Sequence, residues 1–308
     1  MKVSLSGIFL MIILCTSLLS ARGLSPHQFG KYPGLTVDSR NSFAPQLVSA
    51  PTEPGFHPRL FGNYFHNFSK GVSGKNLQWQ LAGIASTALI ISTGTDYRVE
   101  RYFNQHPAYG HASRPMIFLG TFLPVVASGS LYLTAKLAKD NELLGASYAV
   151  IQSSLTTLLY VSLLKAITGR PHPDWQNHSD MKALSKQFRF GFMRGGIFWG
   201  WPSGHTASTV AVASALMNYY PHNTWLKIAG YGLMGYTAFG VTAFHRGGMH
   251  WFSDAVAALL MTYPIGATIG KYYRNQYDAA HKTSDATNQI RFSGLAYDGM
   301  GFSVGWSF

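Results

Sequence analysis

Six stretches of this chain, at about 79–95, 116–135, 143–164, 206–221, 228–244 and 255–270, are apolar and almost free of charge, and polar loops join them. Segments like these must be covered by protein or by lipid, and each is long enough for several helical turns. The reading is an all-α, six-helix bundle. Only 116–135 and 143–164 reach the roughly 20 residues that cross a bilayer comfortably. The other four are shorter and rich in Gly, Ala, Ser and Thr, which suits close helix packing in a membrane and equally suits a soluble helical core. The sixfold recurrence of charge-free runs favours a transmembrane bundle over a soluble periplasmic one. Pro124 and Pro264 fall inside two of the segments and predict kinks rather than breaks.

Composition agrees with this. Of 308 residues, 47% are apolar and 12% charged, about half the charged share of an average soluble domain. The formal net charge of +12 calls for a partner of opposite sign: nucleic acid, anionic lipid headgroups or a phosphorylated substrate. No basic helix or basic strand interleaved with aromatics is present, and the cations gather in loops, so nucleic acid drops out. The expected partners are the bilayer and a lipid phosphate.

The ends read differently from the middle. Lys2, the apolar run from Ile8 to Leu14 and the small residues around Ser20 and Ala21 form a secretory-type leader over 1–21; an uncleaved anchor helix is the alternative. Cys15, the one cysteine, lies inside it. A processed chain therefore has no disulfide, cysteine nucleophile or thiolate metal site. Residues 22–78, rich in Pro, Gly, Asn and aromatics, predict an irregular extracytoplasmic lead-in. The helical domain is expected over 79–272. In the tail, 273–308, alternating residues around Asp298-Gly299 predict a small β-hairpin.

Three local patterns carry chemistry. Trp201-Pro202-Ser203-Gly204-His205-Thr206 stands directly before an apolar helix, where free backbone N–H groups and the helix dipole bind anions and Gly204 lets a ligand oxygen approach. An ordinary helix cap is the plainer alternative. His250 and Asp254 stand four apart at the start of the last long helix and are expected to share a face. A carboxylate on one ring nitrogen fixes the tautomer and leaves the other as a nucleophile; a self-satisfied interfacial pair is the alternative. Lys165, ending one helix, and Gly169-Arg170-Pro171-His172-Pro173 after it supply cations for phosphoryl oxygens, or a snorkelling lysine and a plain turn. If neighbouring helices run antiparallel, the loop from Lys165 to His205 and the loop from Arg246 to His250 emerge at the same end of the bundle. All three patterns then converge on one mouth.

These residues resemble the type 2 phosphatidic acid phosphatase (PAP2) superfamily, which includes bacterial class A acid phosphatases and vanadium haloperoxidases. The likeness covers roughly residues 60–272. The family pattern runs Lys, six residues, Arg-Pro; then Pro-Ser-Gly-His; then Ser-Arg, five residues, His, three residues, Asp. The second motif stands intact as 202–205, and the third ends in His250 and Asp254. The resemblance implies a PAP2/haloperoxidase-like bundle working without metal or cofactor. It further implies His250 as nucleophile, Asp254 as its orienting partner and His205 as acid and then base, with Lys165, Ser203 and Gly204 on the phosphate. Two positions depart from the pattern. His172 stands where the first motif has arginine, and Ala243-Phe244 replace Ser-Arg. A histidine does not match arginine's bidentate fork, so Arg170, His172 and Arg246 are the candidates to hold phosphate in its place. The implied activity is hydrolysis of a phosphate monoester or diphosphate on a membrane lipid through a phosphohistidine. A soluble acid phosphatase of the same fold, and a member that binds phospholipid without cleaving it, are the alternatives. A cleaved leader followed by six spans puts the mouth in the cytoplasm and five spans put it outside; the resemblance favours a bacterial inner membrane with the mouth facing the periplasm.

Overall fold

The structure is a computed structural model and describes residues 58–194, 196–198, 200–244 and 249–287, with the side chains of 194, 198 and 282–287 left out of the description. The leader, most of the lead-in and the hairpin lie outside these residues. Nine α-helices and no β-strand occur among the described residues: α1 (Tyr64–Val72), α2 (Leu77–Ser92), α3 (Thr95–Gln105), α4 (Ala108–Ala138), α5 (Asn141–Thr168), α6 (Met181–Leu184), α7 (Gly204–Tyr219), α8 (Thr224–Thr242) and α9 (Phe252–Thr287).

The six apolar segments correspond to α2, α4, α5, α7, α8 and α9. Boundaries follow capping chemistry. Asp140 accepts from the Leu143 amide at 2.9 Å to start α5, and Asn223 accepts from that of Leu226 at 2.9 Å to start α8. Side chains of this type satisfy helix N–H groups that have no intrahelical partner. Pro124 and Pro264 lie inside α4 and α9 and break neither.

Three helices correct the sequence reading. Residues 64–72, expected to be irregular, form α1, which turns Gly71 onto the backbone of Ile265 and Asn67 onto Gln152 at 2.9 Å. The charge-rich α3 escapes a search for apolar runs, yet it buries Asp96 and Glu100. The short α6 folds the long loop between α5 and α7 down over the bundle, burying Met181 and Leu184 against Trp251.

The core is built around α9 and α7. Gly266 and Gly270, one turn apart, bring α9 onto the backbone of Ala211 and Ala215, the small-residue packing that lets helix backbones approach. Polarity across α5 is reversed relative to a water-soluble helix. Its buried face carries Ser147, Gln152, Ser153, Thr156 and Thr157, and its outer face exposes Leu158, Leu159, Leu163 and Ile167. An exposed leucine face is unfavourable in water and favourable against acyl chains. Three described helices, Ala108–Ala138, Asn141–Thr168 and Phe252–His281, are long and apolar enough to cross a membrane.

Candidate active site

The helix starts of α7 and α9 lie side by side, joined by a backbone hydrogen bond from the Ser203 N–H to the Asp254 carbonyl at 3.1 Å. Ser203 is the N-cap of α7; its hydroxyl accepts from the Thr206 amide at 3.4 Å. The N–H groups of Gly204 and His205 come before the first intrahelical bond, from the Ala207 N–H to the Ser203 carbonyl at 3.0 Å, and open the helix without an acceptor one turn back. Trp201 fixes the approach to this turn. Its backbone N–H and C=O both pair with the Thr168 hydroxyl, at 3.2 and 3.0 Å, and its indole N–H donates to Thr87 at 2.9 Å. Gly200, at φ 127°, passes within 3.0 Å of the Lys165 carbonyl where a Cβ would sit. A side chain is excluded there on both counts.

Lys165, in the last turn of α5, is buried and reaches this turn: its Nζ lies 3.3 Å from where a Cβ on Gly204 would stand. His205 is held from the other side by α4, because Gly120 lies directly against the His205 backbone. The His205 and His250 rings stand 6.3 Å apart, centroid to centroid, at 65°. His172 packs against His250 as well, with ring centroids 4.7 Å apart. The position where the family pattern carries an arginine therefore does face the site.

His250 precedes α9 rather than lying on it, which corrects the shared helical face expected from the spacing. Asp254, in the first turn, folds back over the helix start. Its Oδ2 accepts from the backbone N–H of Trp251 at 3.2 Å and lies 3.2 Å from Nδ1 of His250. This is the carboxylate half of a capping box, used at once to close the helix and to hold the ring. When Nδ1 carries the hydrogen it donates to Asp254, and Nε2 keeps its lone pair.

Arg170 is the second correction. It does not face the cradle. Fully buried between the rings of Phe188 and Trp251, it donates through Nη1 to Asp254 Oδ1 and, at 2.7 Å, to the Ser253 hydroxyl. Through Nη2 it donates to Asp96 at 2.7 Å and to the Ser185 carbonyl at 2.6 Å. A guanidinium engaged with two carboxylates is a brace for Asp254, not a ligand for substrate. Arg246 lies outside the described residues. Asp96 was missed by the sequence reading: its partners are 74 and 157 positions away, and no local pattern marks it.

Burial and neighbouring cations keep the three rings neutral near pH 7. Desolvation lowers His172 to about 3, with His250 beside it adding to the effect, and lowers His205 to about 4, with Lys165 adding. His250, the most deeply buried, is held well below the ordinary histidine value by the same loss of water and then by Lys165. Neutral imidazole is the form that can attack phosphorus. No group of three or more His, Cys, Asp or Glu residues that could hold a metal occurs among the described residues.

Residues 143–278 match the family model of the PAP2 superfamily. This region belongs to that superfamily. The matched PAP2 region contains Lys165, His172, Ser203, Gly204, His205, His250 and Asp254, while Asp96 lies outside it. PAP2 membership implies phosphatase-type chemistry on phosphate esters. No curated protein and no solved structure matches the chain.

Proposed function

We propose that this PAP2 protein hydrolyses a phosphate ester or diphosphate on a membrane lipid, through a phosphohistidine on His250. The observation that carries the reading is the pair of rings 6.3 Å apart, one backed by Asp254 and the other at an open helix start beside Lys165. The two rings are near enough to face one phosphoryl group together, His250 towards phosphorus and His205 towards the leaving oxygen.

In the first step Nε2 of His250 attacks phosphorus and the P–O bond to the lipid alkoxide breaks, while His205 gives its proton to that oxygen. His205 is mostly unprotonated in the empty site, and an anionic phosphate beside the ring raises its proton affinity. In the second step His205 takes a proton from water, the water oxygen attacks phosphorus, and the N–P bond breaks to release inorganic phosphate. Lys165, Ser203 and the N–H groups at Gly204 hold the oxygens, since phosphoryl transfer depends mainly on positioning and charge stabilisation. His172 stands where the missing arginine would add its grip.

Two features favour a lipid over a soluble ester. One is the leucine face of α5. The other is an apolar cleft of about 340 Å³ lined by Ile84, Thr87, Ala88, Ile91, Thr168, Phe188 and Trp201, so that the tryptophan leading into the cradle also walls a space suited to an acyl chain. The reading places the protein in an inner membrane with the site open to the periplasm. A membrane-impermeant phosphate ester given to intact cells checks the side.

The test is phosphate release from a panel of lipid phosphates and diphosphates by the purified full chain. Wild-type protein is expected to turn over at least one, and His250→Ala to abolish release. An undiminished rate in His250→Ala would end the phosphohistidine mechanism. A wild-type rate of zero on every substrate, with lipid phosphate still bound, would instead favour a binding protein, for which the absent family arginines are the motive.

A further inference from the structure

We propose that Asp96, in the first turn of α3, is a positioning residue for the reaction: acting through Arg170 and Ser253, it keeps one oxygen of Asp254 available to the nucleophilic histidine. The inference rests on the phosphatase reading for its kinetic consequence and on geometry alone for its structural one.

Asp96 has no exposed surface, and each of its oxygens is engaged. Oδ1 accepts from the backbone N–H of Ser253 at 2.8 Å. Oδ2 accepts from the Ser253 hydroxyl at 2.6 Å and from Arg170 Nη2 at 2.7 Å. The Ser253 hydroxyl is at the same time the acceptor of Arg170 Nη1 at 2.7 Å. A helix elsewhere in the chain thus caps a second N–H group at the start of α9, next to the Trp251 amide that Asp254 takes, and this second cap is tied to the arginine that holds Asp254.

The arrangement divides one guanidinium between two carboxylates. Arginine presents a planar fork that prefers to chelate both oxygens of a single carboxylate. While Asp96 occupies Nη2, Arg170 reaches Asp254 through Nη1 and only at Oδ1, so Oδ2 remains for Nδ1 of His250 and the Trp251 amide. Without the Asp96 charge, Nη2 has lost its anion in a buried site, where an unmatched charge is strongly unfavourable. The nearest remaining anion is Asp254. A guanidinium that closes on both of its oxygens weakens the bond to Nδ1, and the imidazole hydrogen is no longer confined to Nδ1. Any fraction with the hydrogen on Nε2 has no lone pair with which to attack phosphorus.

The decisive variant is Asp96→Asn, which keeps the size of the side chain and an acceptor for the Ser253 amide but removes the charge. Two measurements on full-length protein in detergent or nanodiscs separate positioning from bulk stability: steady-state kinetics on the best lipid phosphate, and nitrogen-15 NMR of the His250 ring. The expected result is a kcat lowered about 10- to 100-fold with KM changed less than about twofold. The ring should change from one Nδ1–H tautomer to a mixture. Asp96→Glu, which restores the charge, should recover part of both, and it serves as the reporter should Asp96→Asn not fold. Wild-type kcat in Asp96→Asn, or a lowered kcat with the tautomer unchanged, would overturn the proposal. If wild-type protein released no phosphate from any substrate the phosphatase reading would fall, and the ring tautomer in the two proteins would still decide for or against the role of Asp96.

Discussion

Replacing Gly120 by alanine is the most economical probe of the site, because the residue touches no substrate and yet sets where His205 stands. A Cβ built on Gly120 would lie 2.6 Å from Cβ and 2.9 Å from Cα of His205. Carbon atoms pack at about 3.5–4.0 Å, so α4 and the start of α7 must separate by roughly 1 Å. Neither side yields easily. On one side is a 31-residue helix packed against α5, α7 and α8; on the other is a helix start tied by backbone to Asp254. Overpacking of this kind costs about 1–3 kcal/mol, and a displacement of roughly 1 Å at a proton donor lowers turnover about 100-fold. The expected outcome for Gly120→Ala is a folded protein with a modestly lower unfolding temperature and a kcat down by about two orders of magnitude. The loss should shrink on substrates with a good leaving group such as a nitrophenolate, which needs less help from an acid. Phosphate release measured side by side on an alkyl and a nitrophenyl phosphate makes the comparison. Equal activity of wild type and variant on the alkyl ester would refute the placement of His205 as the leaving-group acid, and equal losses on both esters would refute its role as a proton donor.

Two further outcomes follow from the charge state of the site. His172→Arg restores a guanidinium where PAP2 proteins carry one, and one or two added charge-assisted bonds at about 1.5 kcal/mol each predict at least a tenfold lower inhibition constant for inorganic phosphate; an unchanged constant would show that position 172 does not face the phosphate. Acidification should destabilise the empty protein: His172 and His205 have folded values of about 3 and 4, below the ordinary value near 6.5, so between those limits the unfolded chain binds more protons. Stability is then complete above about pH 6.5 and falls as pH drops, by about 2 kcal/mol per ring at pH 5. Thermal unfolding from pH 7.5 to 4.5 with and without inorganic phosphate checks this, and a flat profile would contradict it.

What could be read from the sequence, and what could not, divides along physical lines. The long helices announce themselves because burial in protein or lipid demands runs of apolar residues, and α4, α5 and α7 to α9 satisfy that demand continuously. The helix start at 203–205 is legible because a capping serine stands directly before the apolar run that the helix needs. By contrast α3 carries Asp96, Arg98, Glu100 and Arg101 within six residues and has the composition of a surface helix, although its two acids are buried. Arg170 was misread for a related reason. Beside Pro171 and His172 it has the local setting of a substrate ligand, and only the arrival of α3 shows that its charge is already matched. His250 was placed on the wrong side of a helix boundary because a spacing of four residues is compatible both with a helical face and with a first-turn side chain folding back over the preceding residue.

The single hydrogen bond from the Ser203 amide to the Asp254 carbonyl also limits how the protein can move. It stitches the segment bearing His205 to the segment bearing His250, two residues from one ring and four from the other. A shift of α7 drags the first turn of α9 with it, and the two imidazoles travel as one body. If the substrate is the proposed lipid phosphate, its admission and release fall to the parts that this stitch does not bind, above all to the far wall of the cleft, where α2 offers Ile84, Ala88 and Ile91.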